Sequence, residues 1–150
     1  MSSLEDLGIN DLNEAYITKA VDPFLVTRHL LDRIERLEPR LGAFELVLSE
    51  SALAAAEGAK ANFSAGYRIG PFHGVPFVLK DLVHVADTVT TGGTNAYADR
   101  ISRETAVIAH RLIAGGGILL GKTKTVEVAY GPWGTNSQRG TPWNPWDTEI

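Results

Sequence analysis

The sequence predicts an α/β fold, with a helical N-terminal part followed by strand-helix-strand units of a mixed sheet covered by helices. Apolar residues recur at helical spacing from about residue 9 to residue 65. Beyond Gly66 the chain changes to short apolar segments separated by turns, and most of its 15 glycines and 7 prolines lie there. We therefore expect residues 1–65 to be mainly helical and residues 66–150 to form the sheet.

The helical part contains amphipathic segments and one short strand. The first amphipathic stretch covers about Leu12–Lys19. Asp22 is a favoured N-cap and the proline after it suits the first helical position, so a helix is expected over Pro23–Leu37, closed by a proline and a glycine. Apolar and branched residues predict a strand within Ala43–Leu48, and an alanine-rich helix follows over about Ser51–Ala65.

The second part alternates strands with a helix. Val75–Val85 has the composition of a buried strand, and the glycines of Thr90–Thr94 indicate a loop. A helix over Arg103–Ala114 ends in a run of glycines and leads into the strand Ile118–Leu120, after which a short helix is expected over about Thr125–Tyr130. The strand-helix-strand order predicts a right-handed crossover and a largely parallel sheet.

Composition excludes several classes of function. The formal net charge of -4 argues against a nucleic-acid partner, because such proteins need a clustered basic face. The absence of cysteine excludes disulfides, Cys-based zinc sites and a thiol nucleophile. The N-terminus is acidic where a secretory signal would be basic and apolar, and no apolar run approaches transmembrane length. We expect a cytoplasmic protein with no membrane partner.

Gly116–Thr123 matches the phosphate-loop pattern Gly-x4-Gly-Lys-Thr, but its context argues against nucleotide binding. In a phosphate loop the variable positions form a loop that opens a helix, so that backbone amides wrap the phosphates. Here those positions include Ile118–Leu120, which is strand sequence, and the first glycine follows a helix that it can cap. We therefore expect a tight helix-to-strand reversal and no nucleotide site.

Five segments follow one another in a characteristic order along the chain. The first, Gly70–Leu82, contains Gly-Val-Pro, three apolar residues and then Lys-Asp. The others are Thr90–Thr94, Ala114–Thr123, Glu127–Gly131 and Gly140–Asp147. Together they resemble the amidase signature family, and with the helical part the resemblance covers nearly the whole chain.

The resemblance implies an amidase that hydrolyses a carboxamide to a carboxylate and ammonia or an amine through a Ser-Ser-Lys mechanism. It assigns the role of general base to Lys80 and implies no metal or organic cofactor. The bridging and nucleophilic serines are expected beyond residue 150, and Ser137, which lacks glycine-rich surroundings, is not assigned as nucleophile. Residues 1–150 are then the N-terminal part of a single amidase domain, expected to be inactive and poorly folded alone. The one visible departure from the family pattern is Lys124, where many relatives have Asn or His.

A lysine that acts as a general base must lose its proton, and burial among apolar neighbours favours the neutral amine. On an alternating strand Lys80 shares a face with Val78 and Leu82, which we expect to supply that environment. Asp81 points to the opposite face, where we expect structural hydrogen bonding. The alternative, from the residues alone, is that Lys80 marks the end of a strand and extends into water.

The sequence leaves other functions open. The chain could be the amidase-like subunit of a tRNA-dependent amidotransferase, which binds partner subunits, or a non-catalytic truncated remnant. The tryptophan-containing segments and the Lys80–Leu82 element look more like the stand-alone amidases, for which we expect a small-molecule amide substrate. A homodimer is compatible with this prediction.

Two further sets of residues receive no catalytic role. The histidines show no metal-ligand spacing and are expected to be surface or packed residues. The tryptophans of the last segment are expected to pack as a hydrophobic plug rather than to line a substrate pocket. They are Trp133, Trp143 and Trp146.

Overall fold

A computed structural model of the chain describes residues 4–148. Within them lie four α-helices and a three-stranded sheet, so the predicted mixed α/β fold is confirmed. The elements are α1 (Ile9–Ile17), α2 (Pro23–Leu41), β1 (Phe44–Val47), α3 (Ser49–Ser64), β2 (Pro76–Lys80), α4 (Val107–Ala114) and β3 (Ile118–Thr123). No helix in this described stretch is long and apolar enough to span a membrane.

Helix α2 begins where the sequence predicts and continues past its predicted end. The Asp22 carboxylate caps its start by accepting a hydrogen bond from the Leu25 amide at 2.8 Å. Pro39 lies inside the last turn instead of closing the helix, and the end is set by Gly42, whose φ of +56° is left-handed. The carboxylate of Glu38 accepts the next two backbone amides beyond the glycine, which fixes the turn into β1.

The sheet has the strand order β1-β3-β2. Strand β1 pairs antiparallel with β3, with Val47 opposite Gly121. Strands β2 and β3 are parallel, as two hydrogen bonds at their ends show. At the start of the pair Ile118 N donates to Val75 O, and at its end Asp81 N donates to Thr123 O at 2.9 Å, so the residue numbers increase in the same direction along both strands. The predicted parallel pair is therefore present, and the antiparallel β1 makes the sheet mixed.

The chain divides into two compact units. Unit 1 contains the chain through Ile34, together with Leu48–Phe77 and Arg111–Leu120, and unit 2 contains Glu35–Val47, Val78–His110 and the chain from Gly121 onward. The core of unit 1 is formed by Leu12, Tyr16 and Val26, with Phe63 packed against it.

Tyr16 connects that core cluster to the segment that precedes β2 through a side-chain hydrogen bond. Its ring lies 5.3 Å from that of Phe63, and its hydroxyl donates to the Gly74 carbonyl at 3.1 Å. Burial first, and the nearby charge of Asp22 second, raise the pKa of the Tyr16 hydroxyl well above its usual value. The hydroxyl therefore remains a neutral donor at physiological pH.

Candidate active site

Lys80 is the last residue of β2, and its side chain is exposed. The predicted strand to Val85 is too long, because the amides of Leu82 and Val83 turn back to donate to the Lys80 carbonyl at 2.7 and 3.0 Å. Strand alternation is as predicted, but the buried face is the one that carries Leu79. The expected apolar burial of Lys80 is therefore wrong for the described chain, since β2 lies at an edge of the sheet and Val78 beside it is also exposed.

Asp81 is almost completely buried, and its hydrogen bonds are structural as the alternation predicts. Carboxylate oxygen Oδ2 accepts from the Thr91 amide at 2.9 Å and from the Thr91 hydroxyl at 2.5 Å. Its backbone carbonyl accepts from Gly92 N at 3.1 Å. Asp81 thus anchors the Thr-Thr-Gly-Gly-Thr loop to the residue that follows Lys80.

Lys122 on β3 is the functional candidate that the sequence analysis missed. Its side chain is 0% exposed, and its ammonium donates to Val89 O at 2.7 Å and to Thr90 Oγ1 at 2.5 Å. Asp81 Oδ1 lies 3.6 Å from the same nitrogen. Burial lowers the pKa of the Lys122 ammonium, the Asp81 carboxylate opposes that effect, and the Arg100 guanidinium adds to the lowering.

A signal for Lys122 was present in the sequence. A lysine that follows an apolar strand segment either lies at the end of the strand, where its ammonium reaches water, or is buried and needs a compensating partner. The strand runs on through Gly121–Thr123, so Lys122 is its penultimate residue and belongs to the sheet instead of the following loop. Ile118–Thr123 forms β3 directly after α4 and the glycine run, so the expected helix-to-strand reversal is present, whereas a phosphate loop would need these positions to form a loop that opens a helix.

A chain of hydrogen bonds continues from Lys122 toward solvent. Thr90 Oγ1 lies 2.8 Å from Ser102 Oγ, and Ser102 Oγ lies 2.9 Å from His84 Nδ1. Thr90 and Ser102 are buried, whereas His84 is exposed. The buried cluster of Asp81 and Lys122 is therefore connected by side-chain hydroxyls to a surface histidine.

Asn136 fixes the glycine- and tryptophan-rich loop to the same unit. Its Nδ2 donates to Gly93 O at 2.6 Å and to Thr125 O at 2.9 Å. Its Oδ1 accepts from the amides of Gln138 and Arg139, each at 2.9 Å. All the strong hydrogen-bonding positions of this buried amide are used, so it joins three loop segments that are distant in sequence.

Arg139 adds a charged contact between the loop and β1. Its guanidinium donates two hydrogen bonds to Glu45 Oε1 through Nε and Nη2. The hydrogen bond to Glu45 is the main cause that raises the pKa of Arg139, and burial partly opposes it. The loop is therefore held by polar anchors.

The tryptophan plug predicted from sequence is wrong. Trp133 is 84% exposed, Trp146 is 94% exposed, and Trp143 is 50% exposed. Because Asn136 and Arg139 already fix the loop through polar contacts, it does not need aromatic packing to hold its position. The rings remain on the surface of the described chain.

The backbone after β3 contains an unusual conformation. Val128 and Ala129 have φ values of +50° and +55°, which place two successive non-glycine residues in the left-handed region. The predicted helix over Thr125–Tyr130 is reduced to a 3-10 turn at Glu127–Ala129. A hydrogen bond of 2.7 Å from Val128 N to Gly92 O ties this turn to the loop that Asp81 anchors.

The histidines fall into packed and exposed classes. His73 is 2% exposed and stacks on Phe63 with ring centroids 4.9 Å apart, while His84 and His110 lie at the surface. Across residues 4–148 no group of three or more His, Asp or Glu side chains is placed to hold a metal ion.

These features define a mixed α/β protein whose second unit carries an exposed lysine next to a buried ionic cluster. The family model described as Amidase matches residues 25–150. That match covers most of the chain, and the protein therefore belongs to the amidase family.

Relatives agree with this assignment. The chain is 38% identical over 141 residues to a component of the glutamyl-tRNA(Gln) amidotransferase of Azoarcus sp. strain BH72, covering 94% of this chain and 29% of the relative. It is 31% identical over 144 residues to an acylamidase of Rhodococcus erythropolis, covering 96% of this chain and 30% of the relative. The crystal structure of the native peptide amidase of Stenotrophomonas maltophilia matches with a TM-score of 0.85 and 28% identity, over 95% of this chain and 31% of that chain. The chain thus spans about a third or less of the length of these relatives.

Proposed function

We propose that the protein hydrolyses a small carboxamide to a carboxylate and ammonia or an amine by a Ser-Ser-Lys mechanism, with Lys80 as the general base. The observation that carries this proposal is the family match over residues 25–150, which includes the Lys-Asp pair at the end of β2. Lys80 accepts a proton through a bridging serine while a second serine attacks the carbonyl carbon. Neither serine is assigned among these 150 residues.

The anchoring around Lys80 supports this role. Its carbonyl accepts two turn amides, and the next residue, Asp81, is fixed through both its backbone and its carboxylate. A general base must be held within hydrogen-bonding reach of its proton donor, and a fixed backbone reduces the entropy that must be lost on binding. The side chain is exposed in the described chain, so the proposal requires that the part of the protein carrying the serines covers the Lys80 amine with apolar groups.

The test uses the full natural reading frame that carries this chain. Ammonia release from acetamide, benzamide and an amidated dipeptide is measured for the unmodified protein and for Lys80→Met. We expect the variant to lose about 10²- to 10⁴-fold in kcat, the range that a general base contributes. Lys124→Met is the matched control, since it makes the same change at another lysine, and it should retain activity. Full activity in Lys80→Met would overturn the proposal.

A second candidate, the amidase-like subunit of a tRNA-dependent amidotransferase, is supported by the 38% identity to a component of such an enzyme. In that case the protein would transfer ammonia from glutamine to a misacylated tRNA and would bind partner subunits. Incubation with glutamine, glutamyl-tRNA and ATP, which is needed to activate the glutamyl carboxylate, followed by analysis of the aminoacyl group, separates the two candidates. Conversion to glutaminyl-tRNA only when co-purifying subunits are present would favour the amidotransferase.

A further inference from the structure

Lys122 is a buried ammonium that the proposed reaction does not use. Its side chain has no exposed surface, although removing an ammonium from water costs several kcal/mol unless other groups compensate. Compensation here comes from Val89 O, from Thr90 Oγ1 and from the carboxylate of Asp81. A buried ion pair adds little net stability by itself, so the role of this pair lies in the residues that it holds in place.

The carboxylate of Asp81 is held unequally at its two oxygens. Oδ2 accepts two hydrogen bonds from Thr91, whereas Oδ1 is buried and makes no hydrogen bond. The charge that faces Oδ1 is Lys122 Nζ at 3.6 Å. Without that charge, half of a buried carboxylate would have no compensation.

Two successive residues of β3 hold Asp81. Lys122 faces its carboxylate, and the Thr123 carbonyl accepts its backbone amide at 2.9 Å. Thr123 Oγ1 also donates to the carbonyl of Leu79 at 3.4 Å. Lys80 lies between Leu79 and Asp81, both of which are fixed by Thr123. The direction of its Cα–Cβ bond is therefore set by contacts that its own side chain does not make.

We propose that Lys122 is a positioning residue for Lys80, which acts by fixing the Asp81 carboxylate and so the end of strand β2. This inference rests on the proposed function, because it takes Lys80 as the general base. Lys122 itself does not contact the reacting atoms. Misplacement of a catalytic group by about 1 Å can cost about a hundredfold in rate, which sets the size of the expected effect.

The test compares Lys122→Met with Lys124→Met in the full natural reading frame, using the same amide substrates. We expect kcat to fall about a hundredfold in Lys122→Met while KM changes by less than about twofold, because the fully buried Lys122 side chain has no surface with which to contact a substrate. A purely structural role would reduce the amount of active enzyme and leave the kcat of the folded fraction unchanged.

Thr90→Val provides a second measurement if Lys122→Met does not fold. It removes one acceptor of the Lys122 ammonium at constant charge and similar side-chain volume. A fall of about tenfold in kcat, the size of one hydrogen bond of about 1.4 kcal/mol, supports the proposal. An unchanged kcat in a folded Lys122→Met, or in Thr90→Val if Lys122→Met does not fold, overturns it. Activity that survives Lys80→Met overturns the proposed function instead, so the two failures are distinguishable.

Discussion

Lys122 Nζ lies 3.6 Å from Asp81 Oδ1, and neither side chain has more than 1% of its surface exposed. This pair joins the strand that ends in Lys80 to the strand beside it. The arrangement makes the cluster sensitive to loss of either charge, because the remaining group would be a buried charge without its oppositely charged partner.

Removal of the Lys122 charge should destabilise the protein strongly. Lys122→Met is expected to lower the free energy of unfolding by about 3 to 5 kcal/mol, as measured by urea unfolding of the full-length protein. The double variant Asp81→Asn with Lys122→Met should lose less than the sum of the single variants, since both charges are removed together. Lys124→Met should change stability by less than about 1 kcal/mol. Equal effects of Lys122→Met and Lys124→Met would contradict a coupled buried pair.

Substitution of Asn136 tests the polar anchoring of the tryptophan-rich loop. Asn136→Ala removes four hydrogen bonds to Gly93, Thr125, Gln138 and Arg139, and should cost about 2 to 3 kcal/mol. The control is Asn144→Ala, because Asn144 is exposed and accepts a bond only from Trp146 N at 3.1 Å in the described chain. Thermal unfolding checks the difference, and comparable losses in the two variants would refute the anchoring role.

Gly93 is expected to tolerate no side chain. Its φ is +74°, and an added Cβ would lie 2.7 Å from Thr125 O and 2.9 Å from Val126 O. Gly134 provides a matched control, since its φ is +70° and an added Cβ would meet nothing within 4 Å. Gly93→Ala should therefore lower the free energy of unfolding by at least about 1 kcal/mol more than Gly134→Ala. If urea unfolding gives the same loss for both, the close approach at Gly93 is not limiting.

Replacement of Val128 by glycine should stabilise the protein. At a φ of +50° a β-branched residue is strained, and it is 63% exposed, so little buried surface is lost on substitution. Val128→Gly is expected to raise stability by about 0.5 kcal/mol after the entropic cost of glycine is subtracted. Val126→Gly, at a φ of -57°, should instead destabilise. Melting temperatures that fall equally in both variants would exclude strain at Val128.

His73 should make stability depend on pH. Burial first, and the charge of Arg68 second, lower the pKa of the His73 imidazole below its usual value, and Nδ1 accepts a hydrogen bond from Ile69 N at 3.2 Å. The unfolded state then binds the proton more readily than the folded state. The stabilisation that neutral His73 contributes is therefore complete above a pH of about 6.5, and it is lost as the pH falls toward the lowered pKa of His73 in the folded state.

The measurement is the free energy of unfolding between pH 7.5 and about 5 for His73→Gln and His110→Gln. The slope should flatten in His73→Gln, even though this variant also loses the stacking on Phe63. It should persist in His110→Gln, since His110 is exposed. An identical slope in the two variants would show that another group controls the dependence.

The sequence by itself determined the local structure and the family. The Asp22–Pro23 pair marked the start of α2, glycine marked its end, and alternation along β2 placed Asp81 opposite Lys80. These features depend on residues within a few positions of each other, because capping and side-chain alternation are short-range effects. The five ordered segments then identified the amidase family, which the family model matches over residues 25–150.

Only the tertiary structure decided which groups are buried and what they contact. Lys122 meets Thr90 across 32 positions, Asn136 meets Gly93 across 43, and Arg139 meets Glu45 across 94. Burial depends on the segment that packs over a residue, and no local pattern specifies that segment. For the same reason the expected burial of Lys80 and the tryptophan plug are wrong: those residues are exposed in the described chain, Lys80 at the strand end as the alternative had it, and the buried ion pair lies on the opposite face of the strand.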